Sequence, residues 1–508
     1  MQGVPFSGTV YGSRNELSPM VVDIFDGVPI VGYGDVRPLP TNDYKPSDFY
    51  EDYSGEEYKP ALDSDLFEGV RTGLQKYTAQ KTLCSDSLML LSLRYLESQF
   101  RFVFAGVQHI SMEEAYDRLV LTKSPGFPYY YNCVDKEQAL EKYDVKYIVE
   151  SELVSGNQET IYSTTLKSEM RQEGKYPRLF TPAPLHSTVV GNYLYGAQND
   201  AISRTRRMHP IKLGVQMPGH EFNSLFFSFP SGYIKAHFDV KGFDVSICLS
   251  IMAIIMEFRG RYINQQYLKA HRAHYSKIYC GYVYVLGLIV LLLGQRSGST
   301  NTFTDNSLYM CCLIHVAFSI LCDVSIEQAI DELYFINGSD DGMFAVHPKW
   351  GSKFNIVTLA NFLYENFGCV LESPSLVPVS FEDCYFFSHH LIRVALPRLG
   401  IPGCWIAAGN REKILCGFRY VKKLNMLQNF QRYGALLIVL FPYQADFEYW
   451  REKVLALAAK VDYQDKEFRK LISLISSDLF FLKIYTGVQT LGADYSFLVS
   501  FLSKSVSS

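Results

Sequence analysis

With 508 residues, 48% of them apolar and 20% charged, the chain has the composition of a folded globular protein and far exceeds the length one core requires. Its formal net charge of −4 excludes a globally basic nucleic-acid binder, so any polyanion must be met by a local basic patch. Eleven cysteines without paired metal-ligand spacing argue against a zinc framework and fit reduced, intracellular usage, and no secretory signal pattern opens the chain.

The first forty residues are rich in Gly, Pro and Val without a period. Asp43 to Pro60 is acidic, Tyr-rich and punctuated by proline, which predicts an extended or partly disordered arm. From Asp43 to Glu68 nine acidic side chains stand against only Lys45 and Lys59. The pattern turns helical from about Ser64 to Phe104. In Thr122-Lys123-Ser124-Pro125-Gly126-Phe127-Pro128-Tyr129, two prolines and a glycine predict a stiff, irregular loop. Between Lys167 and Lys212 eight Lys or Arg outnumber Glu169, Glu173 and Asp200. Four of them, Lys167, Arg171, Lys175 and Arg178, fall close together, and Gly174 and Pro177 predict a loop or strand pair there rather than a helix. Such a cluster is either a solvated face or a holder of polyphosphate oxygens.

Asp239 ends a short strand pattern containing Ile234, Ala236 and Phe238, Asp244 follows a glycine turn, and Ile251 to Phe258 reads as a helix. Ile278 to Gly294 is nearly uncharged but falls short of the roughly 20 apolar residues of a membrane helix. With Gly281 and Gly287 inside, it predicts a buried hairpin, and no transmembrane segment is expected. The polar loop Ser297-Gly298-Ser299-Thr300-Asn301-Thr302-Phe303-Thr304-Asp305-Asn306 leads into a helix over Leu308 to Leu321. Apolar runs Leu333 to Ile336 and Met343 to Val346 flank Asn337-Gly338-Ser339-Asp340-Asp341-Gly342, giving strand, tight turn, strand. An amphipathic helix over Phe354 to Phe367, a strand or hairpin over Asp383 to His390, and a largely helical last hundred residues follow. The clearest periods there are Trp450 to Val461 and Phe468 to Phe481.

Asp239 and the pair Asp340-Asp341 are the best candidates for a shared metal site, since each lies at a strand-turn junction. Oxygen-only donors suit Mg²⁺, with Mn²⁺ able to substitute, rather than zinc. Two such ions would activate a hydroxyl and stabilise a leaving phosphate, the chemistry of nucleotidyl transfer.

The ordered set Lys167-x3-Arg171-x3-Lys175-x2-Arg178, Asp239-x4-Asp244, Ser297-Gly298-x3-Thr302-x3-Asn306 and Ser339-Asp340-Asp341 resembles motifs F, A, B and C of viral RNA-dependent RNA polymerases. The basic segment and the Gly-x-Pro character of Ser124 to Pro128 look most like the picornavirus-like supergroup of positive-strand RNA viruses. Phe386-Phe387-Ser388-His389 looks like motif E. The resemblance covers roughly residues 120 to 395.

It implies an α+β right hand of fingers, palm and thumb, with an antiparallel palm sheet and a mostly helical thumb. The implied division is an N-terminal arm at 1–65, fingers at 66–235, palm at 236–395 and thumb at 396–508, with about 260–290 able to return to the fingers. The implied activity is template-directed RNA synthesis from NTPs, releasing pyrophosphate. Asp239 and Asp340 would hold two metal ions with Asp341 auxiliary, and Asp244 and Asn306 would read the ribose 2′-hydroxyl. Ser297 and Gly298 would form the loop meeting template and nucleotide, with Thr302 supporting Asn306. Lys167, Arg171, Lys175 and Arg178 would hold the triphosphate, and Lys123, Ser124, Gly126 and Pro128 would guide the template. Implied partners are template and nascent RNA, NTPs, other viral replication proteins and a genome-linked protein primer; the 48–58 stretch reads foremost as a solvated linker left by polyprotein organisation, with a priming tyrosine as the alternative. The implied location is a replication complex in the host cytoplasm, the chain being cut from a polyprotein.

Two departures stand out. Ser339 replaces the glycine that most of this supergroup carries before the paired aspartates. No lysine occurs from Phe354 through Ile392, where motif D usually supplies a proton donor, leaving His389 or a residue outside that interval. A non-catalytic RNA-binding or assembly scaffold and a reverse transcriptase are the alternative readings.

Overall fold

The computed structural model describes residues 30–33, 44–55, 57–61, 65–78, 82–372, 383–396, 401–422, 424–461 and 465–486. Most of the first forty residues, and 373–382 within the lysine-free interval, lie outside the described residues.

The strand Ile234–Val240 occupies the interior of a four-stranded antiparallel sheet. On one side it pairs with Asp341–Val346, whose hairpin partner Leu333–Gly338 forms the edge; on the other it pairs with Leu371–Glu372. Phe238, Phe335, Phe344 and Val346 join the main core, which includes the helix Thr302–Cys322. Ile336, Met343 and Ala345 pack instead with Phe222, Phe226, Phe386 and Leu391. Burial on both faces explains why the hairpin strands read as continuous apolar runs rather than as alternating ones.

The helix Thr302–Cys322 begins ahead of the expected Leu308 because its first two turns are mostly polar, with Asn306 and Ser307 contacting the hairpin, so the apolar pattern starts late. By length and composition it could cross a bilayer, but its apolar run is wrapped in the core. The Ile278 to Gly294 run forms the expected hairpin, Cys280–Val285 with Leu288–Leu293, turning at Leu286 and Gly287 with φ of 48° and 84°. Ile30–Tyr33 and Ile161–Ser163 flank it in a second sheet. The helical pattern from Ser64 to Phe104 resolves into Leu66–Gln75 and Asp86–Phe104.

Five C-terminal helices, from Arg411–Arg419 to Asp478–Thr486, enclose a separate core containing Phe430, Tyr433, Trp450, Phe468 and Phe481. The Phe468 to Phe481 period is broken into two helices at Ser476-Ser477, where the Ser476 hydroxyl donates to Ile472 O at 2.8 Å.

Of the two expectations for the acidic stretch, an extended or a partly disordered arm, the extended one describes Tyr44–Pro46 and Tyr58–Pro60, and the stretch is packed rather than loose. Tyr44–Pro46 pairs with Tyr420–Lys422, and Phe49 is buried in the C-terminal core at 5.0 Å from the Tyr433 ring and 5.7 Å from Trp450. Arg419 lies 4.4 Å over the Tyr50 ring, Tyr53 donates to Glu412, and Lys453 pairs with Asp52 at 2.5 Å. Tyr58–Pro60 then pairs with Met170–Gln172 of the basic segment. The acidic side chains read as solvated in sequence, but the aromatic rings between them anchor the stretch as a strap from the C-terminal helices to the basic loop. Phe49→Ala should cost about 3 kcal/mol. A lower Tm together with faster proteolytic cleavage within 44–61 would show it.

Candidate active site

The residues Ser339 and Asp340 form the turn between the paired residues Gly338 and Asp341. Ser339 has φ of +64°, a left-handed conformation that costs a residue with a side chain on the order of 1 kcal/mol. Three hydrogen bonds fasten the hairpin end to the first turns of the helix Thr302–Cys322. Ser339 N–H donates to Ser307 Oγ at 2.9 Å, Asn337 Nδ2 to Ser307 O at 2.8 Å, and Asn306 Nδ2 to Ser339 Oγ at 3.2 Å. Phe387 presses on the hairpin as well: a Cβ on Gly338 would overlap its ring. Phe387 and Ser388, both left-handed at φ of 50° and 57°, form a turn closed by reciprocal backbone bonds between Phe386 and His389. Close approach of the ring therefore demands glycine at position 338.

Sheet register places the carboxylates. Gly342 lies opposite Phe238, so one step further along the same ladder sets Asp341 opposite Asp239, while Glu372 faces Asp239 from the other neighbouring strand. Burial, then Asp340 and Asp239, push Asp341 up to about 8. Burial and Asp340 likewise push Asp239 and Asp244 up to about 6. Asp340 is raised by burial, against which Arg178, a hydrogen bond from Ser339 and Lys167 act. Among the described residues no three Asp, Glu, His or Cys side chains converge as a ready-made metal cage. The donors are nonetheless hard carboxylate oxygens fixed on neighbouring backbone positions, and a divalent cation would relieve their repulsion. That donor chemistry fits Mg²⁺ or Mn²⁺.

The basic segment is a loop with short strands. Lys167 N–H donates to Arg178 O at 3.0 Å, and Thr165–Leu166 pairs with Leu179–Phe180. The buried Glu169 grips the Arg178 guanidinium with two bonds of 2.7 and 2.6 Å and stands 3.4 Å from Arg171. Lys167 and Arg178 share an electrostatic field with Asp244 and Asp340. Arg171 turns to Tyr176 O at 3.2 Å, and Lys175 lies on an exposed turn. Two participants escape sequence reasoning. Glu169 reads only as a stray acid in a basic run, and Lys413, from the helix Arg411–Arg419, comes close enough to feel Glu169, Arg178 and Arg171.

The segment after this loop joins the two remaining predicted elements. Thr181 N–H donates to Ser297 Oγ at 3.1 Å, and Gly298 N–H donates to Thr181 O at 3.1 Å. A Cβ on Gly298 would collide with the Thr181 and Pro182 backbone. The Thr302 hydroxyl lies within 2.9–3.2 Å of the carbonyls of Arg296, Ser297 and Ser299, bracing the loop rather than Asn306 directly. Gly126, at φ of +73°, packs against Ala183 and Pro184 in the same way, with Lys123 and Ser124 exposed and Pro128 after a cis bond. His389 is a poor substitute proton donor. Its Nδ1 donates to Phe387 O at 2.6 Å, and burial pushes it down to about 4. Lys241 Nζ stands 3.7 Å from Glu372.

The sequence model of the family described as viral RNA-dependent RNA polymerase matches residues 43–365, more than half of the chain. The genome polyprotein of Beet mosaic virus is 23% identical over 318 residues, 60% of this chain, and that of Bean yellow mosaic virus 22% over 334 residues, 64% of this chain. The chain spans about a tenth of the length of these relatives. The solved structure of Sicinivirus 3Dpol RNA dependent RNA polymerase shares the fold, with a TM-score of 0.72 at 15% identity, over 88% of this chain and 99% of that one.

Gly338→Ala should lower the Tm by displacing the Phe387 ring, at a cost of about 1–3 kcal/mol. Because the strain is pairwise, Gly338→Ala with Phe387→Ala should lose less than the sum of the single variants. Additive losses in thermal unfolding would show that the ring does not govern position 338.

Proposed function

The chain belongs to the viral RNA-dependent RNA polymerase family, and from that premise we propose that it extends an RNA 3′-hydroxyl with NTPs on an RNA template, releasing pyrophosphate. The observation that carries this reading is the shared field of Asp340 and Asp244 with Lys167 and Arg178. It brings a carboxylate cleft suited to divalent cations together with cations suited to a triphosphate.

Asp239 and Asp340 would hold Mg²⁺, or Mn²⁺ in its place, with Asp341 auxiliary. When bound, the metal supplies activation of the attacking hydroxyl and stabilisation of the leaving phosphate. Lys167 and Arg178 bind the triphosphate oxygens, and Glu169 keeps the Arg178 fork aimed. Arg171, Lys175 and Lys413 gather phosphate along the approach. Asp244 and Asn306 read the ribose, the Ser297-Gly298 loop braced by Thr302 meets template and nucleotide, and Lys123, Ser124, Gly126 and Pro128 guide the template strand.

In this reading residues 66–235 form fingers, 236–395 the palm and 396–508 the thumb. The strap at 44–61 then joins thumb to the basic loop of the fingers. Its tyrosines serve that joint, so a separate genome-linked protein is the better candidate primer. The polyprotein relatives support release of the chain from a polyprotein, to act in cytoplasmic replication complexes with other viral replication proteins.

Primer extension on an RNA template tests the reading, with product expected from ribonucleotides and little from deoxyribonucleotides. Asp340→Ala should lower synthesis on the order of 10³-fold or more while RNA binding persists. Unaltered synthesis would remove Asp340 from the metal site. Glu169→Gln should raise the KM for NTPs about tenfold with a smaller change in kcat, because it loosens Arg178 rather than the carboxylates.

A further inference from the structure

Ser339 stands between a carboxylate and an amide, and its hydroxyl has only one proton to give. Asp340 lies on one side of it, its carboxyl raised by burial and lowered in part by the Ser339 side chain. On the other side Ser339 Oγ accepts from Asn306 Nδ2 at 3.2 Å. With its N–H₂ end engaged there, the Asn306 amide offers Oδ1 elsewhere. Oδ1 is buried and has no hydrogen-bond partner among the described residues. The turn is held independently of this contact by the bond from Ser339 N–H to Ser307 Oγ at 2.9 Å, with Ser307 Oγ donating onward to Phe303 O at 2.7 Å.

We propose that Ser339 is a specificity-determining positioning residue: its hydroxyl, by accepting from the Asn306 N–H₂, holds the amide so that the sugar meets an acceptor and must bring a donor. The proposal rests on the polymerase reading above and deepens it. An incoming ribonucleotide satisfies Asn306 Oδ1 with its 2′-hydroxyl proton. A 2′-deoxynucleotide leaves a buried acceptor unmet, and a 2′-fluoro nucleotide sets one acceptor against another. A 2′-amino nucleotide again brings a donor. Glycine at position 339 would leave the amide free to turn its N–H₂ toward the sugar.

The test compares the wild-type protein with Ser339→Gly and Ser339→Ala against NTPs bearing 2′-hydroxyl, 2′-amino, 2′-fluoro and 2′-hydrogen, using single-nucleotide incorporation on a primed RNA template. Wild type should favour hydroxyl and amino over fluoro and hydrogen. Both variants should lose at least about tenfold of the hydroxyl-over-fluoro preference, because only the amide's freedom changes. Glycine relieves the left-handed φ of Ser339 and alanine keeps it, so the pair separates hydroxyl from backbone. An unchanged order of the four sugars, with only the overall rate altered, would overturn the proposal. A change confined to Ser339→Gly would also overturn it by assigning the effect to the turn. If the wild type incorporates nothing, the polymerase reading fails. The amide lock is then read from equilibrium binding of the same four nucleotides with Mn²⁺, where identical preferences in wild type and variants would reject it.

Discussion

Asp239, Asp340 and Asp341 occupy strand ends and a two-residue turn that leave them no route away from one another. Their like charges would drive the cleft apart if the ladder were free to slip. A one-residue slip in a sheet buried on both faces would exchange every side chain between two apolar cores, so register resists the repulsion. Lys167 and Arg178 offset the rest. Arg178 can do so because Glu169 fixes it, and burial works against the Glu169 charge until Arg178 overrides it, holding that carboxyl low. The pair is a one-directional support: removing Glu169 frees a cation, whereas removing Arg178 strands a buried charge.

The same repulsion explains how many separate elements converge on one hairpin. Hydrogen bonds from Asn306 to Ser339, and from Ser339 and Asn337 to Ser307, hold its end against the helix Thr302–Cys322, while the Phe387 ring covers Gly338 and reaches Phe222 and Phe303 at ring-centroid distances of 6.5 and 6.3 Å. Polar bonds set direction and the aromatic ring sets distance. The basic loop is held from outside as well, since the Tyr58–Pro60 strand adds to its Met170–Gln172 edge and the same strap is anchored through Phe49 in the C-terminal core. The position of Arg178 therefore depends in part on residues at both ends of the described chain.

The Asp340-Asp341 hairpin was legible because two strong signals coincide there: apolar runs buried on both faces, and a turn of Asn, Gly, Ser and Asp. The order of the charged motifs supplied the rest of the family. The strap was not legible, because its strands are three residues long and its composition matches that of solvated chain. What distinguishes it is contact with distant elements, above all the burial of Phe49, and such contact is a property of the partner. Lys413 is hidden for a related reason, as no periodicity links a C-terminal helix face to a distant loop. The true start of the helix Thr302–Cys322 was missed because residues that serve the cleft are polar and look like loop. Function blurs the local signal that would announce the element.

Behind that helix lies a charge pair with no access to solvent or substrate. Arg259 Nε meets Asp305 Oδ1 at 2.9 Å with both side chains fully buried, and the guanidinium also reaches Gln198 and Asn199 and stacks near Tyr195 and Phe104. Desolvating two charges costs as much as such a pair returns, and apolar residues of equal volume would often hold the core as well. What apolar residues would lack is direction. Asp305 is followed by Asn306 and Ser307, and each residue turns a helix by about 100°, so anchoring Asp305 on the core side fixes what the next two present. Asn306 then meets Ser339 and Ser307 meets the turn backbone. A pair buried away from the cleft thus sets the rotation of the helix that presents Asn306, on which the proposed sugar recognition rests, and the carboxylate hairpin inherits that setting through Ser339.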